Sequence, residues 1–132
     1  MAWLCLGVCS TPSFALDPKI NYMLECQGCH LADGSGSQGS VPALKDSVAR
    51  FLEVPGGRAF LVQVPGSAFS PLSDADLAGV LNWILREYGP REIVERAAPY
   101  SAEEVTRLRA SPLTDVEGVR EDLVSRMAIH EE

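Results

Sequence analysis

The sequence predicts an all-α protein, and three local patterns indicate this class. Asp17 followed by Pro18 is a helix-start signal, because aspartate caps a helix and proline suits its first turn. A capping box opens at Ser73 and is followed by apolar residues at helical spacing. Two more capping boxes, at Ser101 and Thr114, predict two helices near the C-terminus.

Each element up to residue 90 has its own signal. Residues 17–30 are predicted as one helix with Ile20, Met23 and Leu24 on one face. Composition predicts a loop over 33–42. A short helix is expected around Val48, Phe51 and Leu52, and the apolar run 58–66 is of undecided type. The strongest helix follows Ser73 and ends at 88–90, with the apolar positions Leu77, Val80, Leu81, Ile84 and Leu85.

Residues 1–15 resemble an export signal. A short apolar run ends at Pro12, and Ser13 and Ala15 are the small residues that precede a cleavage site. The mature chain is then expected to begin at Leu16 and to be periplasmic or otherwise exported. An N-terminal core helix and an uncleaved anchor are the alternatives.

The rest of the chain divides at residue 90. We expect one compact domain over 16–90 and a helical extension over 91–132, folded as a helical hairpin against that domain or left as a loose charged tail. The extension carries an apolar stripe that consists of Val116, Val119, Leu123 and Met127.

Composition excludes several classes of protein. The chain has 132 residues, 46% apolar and 22% charged, which indicates a globular protein of one domain. The formal charge is −7 and the basic residues are scattered, so nucleic acid is not expected as a partner. No apolar run approaches the roughly 18 residues of a spanning helix, so no stable membrane insertion is expected.

Cys26, Cys29 and His30 form a Cys-x-x-Cys-His motif. Zinc needs four ligands, and His130 would be the only further donor of this kind in the mature chain. A thiol oxidoreductase places its first cysteine at the start of a helix, whereas here the predicted helix runs into the motif. Covalent haem attachment fits better, because two thiols at this spacing can join the two vinyl groups of a haem while the adjacent histidine binds its iron.

Over residues 18–89 the sequence resembles the class I cytochrome c family. Tyr22 stands four residues before Cys26, where the family has an aromatic residue. Pro42 and Leu44 stand twelve and fourteen residues after His30, which is the family's spacing. The segment `LSDADLAGVLNWI`, with Trp83, resembles the family's C-terminal helix.

The resemblance implies three to five helices around one covalently bound haem c per chain. Pro42 would accept a hydrogen bond from the His30 ring, and Leu44 would pack on the same face of the haem. Tyr22 and Trp83 would meet where the first and last core helices cross, buried beside the haem.

The sequence departs from the family at the second axial ligand of the iron. Most members provide a methionine, often before a proline, and here Val64 precedes Pro65. Three possibilities remain for the distal face of the haem. It is open, or Met127 or His130 reaches it from the extension, or Gln63 or a partner protein provides the ligand. Met23 lies in the predicted helix that leads into the motif and is a poor candidate.

The function expected from the resemblance is single-electron transfer between redox partners, not catalysis. The chain could serve as the cytochrome subunit or the acceptor of a periplasmic dehydrogenase. A haem protein with an open distal face that binds or senses CO, NO or peroxide is the alternative. A third possibility is a structural subunit that folds around its haem.

Overall fold

The computed structural model describes residues 15–129. Its helices are α1 (Pro18–Glu25), α2 (Gln27–His30), a 3-10 helix (Val48–Glu53), α3 (Gly57–Gln63), α4 (Pro65–Ala68), α5 (Asp74–Tyr88), α6 (Arg91–Val94), α7 (Ala102–Arg109) and α8 (Val116–Ile129). The described residues contain no strand beyond one isolated bridge between Ser37 and Val41. The predicted all-α class is confirmed.

None of the described helices combines the length and the hydropathy that crossing a bilayer requires. The predicted export signal and His130 lie outside the described residues.

The predicted helix over 17–30 is divided into two helices at Cys26. Asp17 caps α1 by accepting a hydrogen bond of 2.8 Å from the backbone N–H of Lys19. Cys26 leaves helical geometry at φ −123° and ψ −38°, and the single turn of α2 follows it. The break gives Cys29 and His30 a short helix of their own.

The buried face of α1 differs from the apolar face that spacing indicates. Ile20, Met23 and Leu24 are exposed, whereas Asn21 and Tyr22 are buried. Because α1 packs on α5, its inward face is decided by that crossing and by the aromatic ring of Tyr22. A periodic apolar pattern in so short a helix does not identify the core side.

Helix α5 has the predicted start, end and buried face. Ser73 Oγ accepts a hydrogen bond from the Asp76 backbone N–H at 3.1 Å, and Gly89 ends the helix. All five predicted apolar positions are buried in the core: Leu77, Val80, Leu81, Ile84 and Leu85. Helices α1 and α7 and the 3-10 helix pack around α5.

The structure has helices α7 and α8 where two helices are predicted within residues 91–132. Ser101 caps α7 as predicted, through the backbone N–H of Glu104. The second cap is one residue later than the predicted Thr114, because Asp115 Oδ1 accepts from the Gly118 N–H at 3.0 Å. Helix α7 packs on α5 and α3, and α8 packs on the 3-10 helix and α3.

The apolar stripe of α8 belongs to the core, and Leu123 is its most buried member at 1% exposure. We expect Leu123→Ala to lower the free energy of unfolding by about 2–5 kcal/mol, because it leaves a cavity under the helix. Urea denaturation followed by circular dichroism measures this change. Val124→Ala is the control, since Val124 is 40% exposed and its loss should change stability by about 0.5 kcal/mol or less. Equal unfolding midpoints for the two variants would contradict a core role for α8.

Candidate haem site

Cys26, Cys29 and His30 line one cleft with a volume of about 310 Å³. Its walls come from the loop after α2, the 3-10 helix, α3, α4, α5 and α8. Most of the other lining side chains are apolar, among them Leu44, Val48, Phe51, Phe60, Leu61, Val64, Leu81 and Ile84. The motif therefore faces a largely apolar cleft and not a polar surface.

A hydrogen bond to Pro42 sets the chemistry of His30. The ring atom Nδ1 lies 3.2 Å from the Pro42 carbonyl oxygen. A carbonyl only accepts, so this bond places the ring proton on Nδ1 and leaves the lone pair on Nε2. Burial lowers the pKa of His30, partly opposed by the hydrogen bond to Pro42. The imidazole is therefore neutral at pH 7, which is the form that binds a metal.

Gly36 lets the loop bring Pro42 close to His30. Its φ is +68°, and a Cβ there would lie 2.4 Å from the Val41 oxygen and 2.8 Å from the Pro42 oxygen. Its N–H donates to the His30 carbonyl at 3.1 Å. Any larger residue at position 36 would displace the acceptor of the His30 ring. Sequence reasoning treated Gly36 only as loop composition, and no signal in the sequence distinguishes it from Gly34 and Gly39 of the same loop.

Two tyrosines hold the backbone that follows His30. Tyr22 Oη donates to the Leu31 carbonyl at 2.6 Å, and Tyr88 Oη donates to the Ala32 carbonyl at 2.9 Å. The Tyr88 carbonyl also accepts from the N–H of Asp46 at 2.9 Å. Tyr88 thus binds both ends of the loop that carries Pro42. Sequence reasoning missed this role, because it counted Tyr88 only as part of the helix-ending segment 88–90.

The aromatic rings of α1 and α5 form one cluster behind this loop. The centroids of Tyr22 and Trp83 are 4.9 Å apart, and Tyr88 lies 5.8 Å from Tyr22 and 5.7 Å from Trp83. Tyr22 is buried and Trp83 is half-buried. Neither Tyr22 nor Trp83 is among the residues that line the cleft. Their contacts fix the crossing of α1 and α5, which in turn positions the Cys-x-x-Cys-His segment.

The two cysteines are free thiols in different surroundings. Cys26 is half-buried and Cys29 is exposed. Burial raises the pKa of Cys26 to about 11, and the nearby Glu25 and Cys29 add to the increase. A thiol with so high a pKa is protonated at pH 7, whereas a thiol oxidoreductase needs a stable thiolate. No group of three or more His, Cys, Asp or Glu residues within 15–129 could hold a metal ion alone.

Comparison with known proteins identifies the family. The chain is 36% identical over 108 residues to a cytochrome c-552 of Thermus thermophilus, in an alignment that covers 68% of this chain and 82% of the relative. The chain belongs to the class I cytochrome c family. A second cytochrome c-552, from a named strain of the same species, is also 36% identical over 108 residues, with coverage of 68% and 73%. No family model matches the chain. Membership makes the chain an electron carrier with covalently bound haem c.

The cleft fits the group that a cytochrome c holds. Two thiols three residues apart, an imidazole with a free Nε2 and a largely apolar lining are the donor set for a haem joined by thioethers. The side chains of Pro42 and Leu44 line the same cleft as His30. The residues of the motif and of the loop after it are therefore brought together at one place.

The family's methionine would stand on the segment after α3, and within the described residues no sulfur or imidazole of this segment lines the cleft. Val64, Gly66 and Ser67 line the cleft there, and none of them offers a sulfur or an imidazole. Gln63 and Met127 are not among the lining residues. Met127 instead packs partly buried against the core.

Proposed function

We propose that the chain is an exported electron carrier that holds one haem c. Cys26 and Cys29 form the thioether bonds and His30 is an axial ligand of the iron. The observation that carries this proposal is the arrangement of these three side chains around one apolar cleft, with Nδ1 of His30 3.2 Å from the Pro42 oxygen.

When bound, the haem supplies one-electron chemistry between ferric and ferrous iron. The protein residues control that chemistry through their positions. Pro42 orients the His30 ring and makes it a stronger donor. Apolar side chains such as Phe51, Phe60 and Ile84 exclude water, and a dry site disfavours the ferric state because it carries the extra positive charge. Leu44 contributes to the wall on the side of Pro42.

The surface charge indicates the kind of redox partner. The chain has a formal charge of −7, and several arginines of the described part form ion pairs with carboxylates, among them Arg58, Arg91, Arg96, Arg109 and Arg126. An acidic carrier associates fastest with a partner that presents a basic face, and salt weakens this attraction. We propose as partner a periplasmic dehydrogenase with a basic face, which would use the chain as its cytochrome subunit or acceptor.

Redox titration of the purified protein tests the proposal. We expect reversible uptake of one electron per chain, followed in the visible spectrum. Exchange with a cationic redox reagent should be faster than with an anionic reagent of similar potential, and rising ionic strength should reduce the difference. Failure to take up one electron reversibly would contradict the role of carrier.

A second function is favoured by the distal residues alone. If the iron has no second ligand from the chain, the protein can bind CO, NO or peroxide. The presence of Val64 at the position expected for methionine supports this alternative. Turnover of peroxide that exceeds the rate of electron exchange with redox reagents would favour it over electron transfer.

A further inference from the structure

We infer that Arg109, on the extension helix α7, holds the distal wall of the haem cleft and thereby limits the access of small ligands to the iron. The inference rests on the proposed function, because it requires a haem in this cleft. The distal wall is the segment of residues 64–73, which includes α4 and leads into α5.

Arg109 binds this segment with nearly all of its donors. Its Nε donates to the carbonyl of Ala68 at 3.2 Å, and its Nη2 donates to that of Ser70 at 2.7 Å. Its Nη1 donates to the carbonyl of Leu72 at 2.9 Å and to Oδ1 of Asp74 at 2.8 Å. The side chain is only 16% exposed. A planar guanidinium can join several acceptors in this way, whereas a lysine or a neutral amide cannot.

The distal wall has internal backbone hydrogen bonds from Val64 to Ser70, and Arg109 binds carbonyl groups at the end of this turn and after it. Helix α4 is a single turn, and Phe69 after it is 70% exposed. Ser70 Oγ is buried without a hydrogen-bond partner in the described part of the chain. Three carbonyl groups of this segment accept from Arg109, so loss of the guanidinium leaves them without those donors.

The same segment faces the cleft on its other side. Val64, Gly66 and Ser67 line the cleft, within six residues of the Ala68 and Ser70 carbonyl groups that Arg109 binds. A movement of the wall therefore changes the space next to the iron.

The extension also fixes the start of the distal wall. The backbone N–H of Leu113 donates to the Gln63 carbonyl at 2.9 Å. Beyond it, Val116 and Arg120 of α8 contribute directly to the lining of the cleft. Residues 109–120 thus hold both ends of the wall and complete its surface, which places the extension in the haem site.

The rate at which CO binds the ferrous protein tests this inference. We expect Arg109→Gln to raise the association rate roughly tenfold, because each lost bond to a charged donor makes opening of the wall easier. Should the wild-type protein refuse CO, the variant should acquire a fraction that binds it. Arg109→Lys keeps the charge but not the planar guanidinium, and should give an intermediate CO association rate. If Arg109→Gln does not fold, the rate of Arg109→Lys is the one compared with wild type.

Glu104→Gln is the matched control. Glu104 lies on the same helix and pairs with Arg58 of α3 at 2.6 Å, so its loss weakens a contact between the core and the extension without touching the distal wall. The control should lower the melting temperature but leave the CO rate within about twofold of wild type.

Two outcomes would overturn the inference. In the first, Arg109→Gln and Arg109→Lys have the same CO association rate as the wild-type protein. In the second, Glu104→Gln raises that rate as much as Arg109→Gln does. Either outcome leaves the proposed function intact when the protein carries haem and takes up electrons. Absence of covalent haem from the wild-type chain would instead contradict the proposed function itself.

Discussion

A chain with both Cys26→Ser and Cys29→Ser is expected to release all of its haem when it is denatured. The reason is that a serine hydroxyl does not form the thioether bond, and the mature chain from Leu16 has no other cysteine. Intact-mass spectrometry of protein made with a working attachment system measures this effect. The wild-type protein recovered after export should have the mass of residues 16–132 plus one haem. This single value tests the attachment, the number of haems and the site of cleavage.

The single variants are controls for this experiment. Cys26→Ser and Cys29→Ser each retain one thiol, so some haem should survive denaturation in both. A wild-type mass without haem would contradict covalent attachment, and a mass that includes residues 1–15 would contradict cleavage after Ala15. If the double variant loses its haem but is still exported, covalent attachment and export are shown to be independent of each other.

The ferric wild-type protein is expected to lack the weak far-red absorption band that a methionine sulfur on the iron produces. Val64 stands at the methionine position and lines the cleft, but it has no donor atom. The ferrous protein should accordingly bind CO without first losing a strong ligand. Absorption spectra of both oxidation states, with and without CO, measure these properties.

Three variants identify the ligand if this expectation fails. A far-red band that disappears in Met127→Ala would show that α8 reaches the iron. The matched control is Met23→Ala, because Met23 is exposed on α1 and should not affect the band. Refusal of CO without a far-red band would indicate a nitrogen ligand, and His130→Ala should then open the site. A band that persists in both methionine variants would indicate a sulfur from a partner protein.

The parts of the fold that depend on local chemistry could be predicted from the sequence. Helix α5 has a strong cap and fifteen residues over which apolar spacing repeats, so its limits and buried face follow. Helix α1 has eight residues, which is too short for spacing to identify the buried face. The sequence predicts the cap of α8 at Thr114, but Asp115 beside it is an equally good acceptor, and only the backbone geometry decides between them.

The candidate site also has features that the sequence predicts and features that it does not. The motif of Cys26, Cys29 and His30 is contiguous, and the positions of Pro42 and Leu44 follow from the resemblance to a family. The contacts of Arg109 join residues 35 to 41 positions apart, and three of the four end on backbone carbonyl groups. Every residue has a carbonyl group, so no pattern of side chains indicates such a contact.

Tyr88 binds the loop after α2 through both its side chain and its backbone. Its hydroxyl binds Ala32 and its carbonyl binds the N–H of Asp46, so this loop cannot separate from the last turn of α5 without breaking both bonds. We therefore expect the loop and α5 to unfold as one cooperative unit.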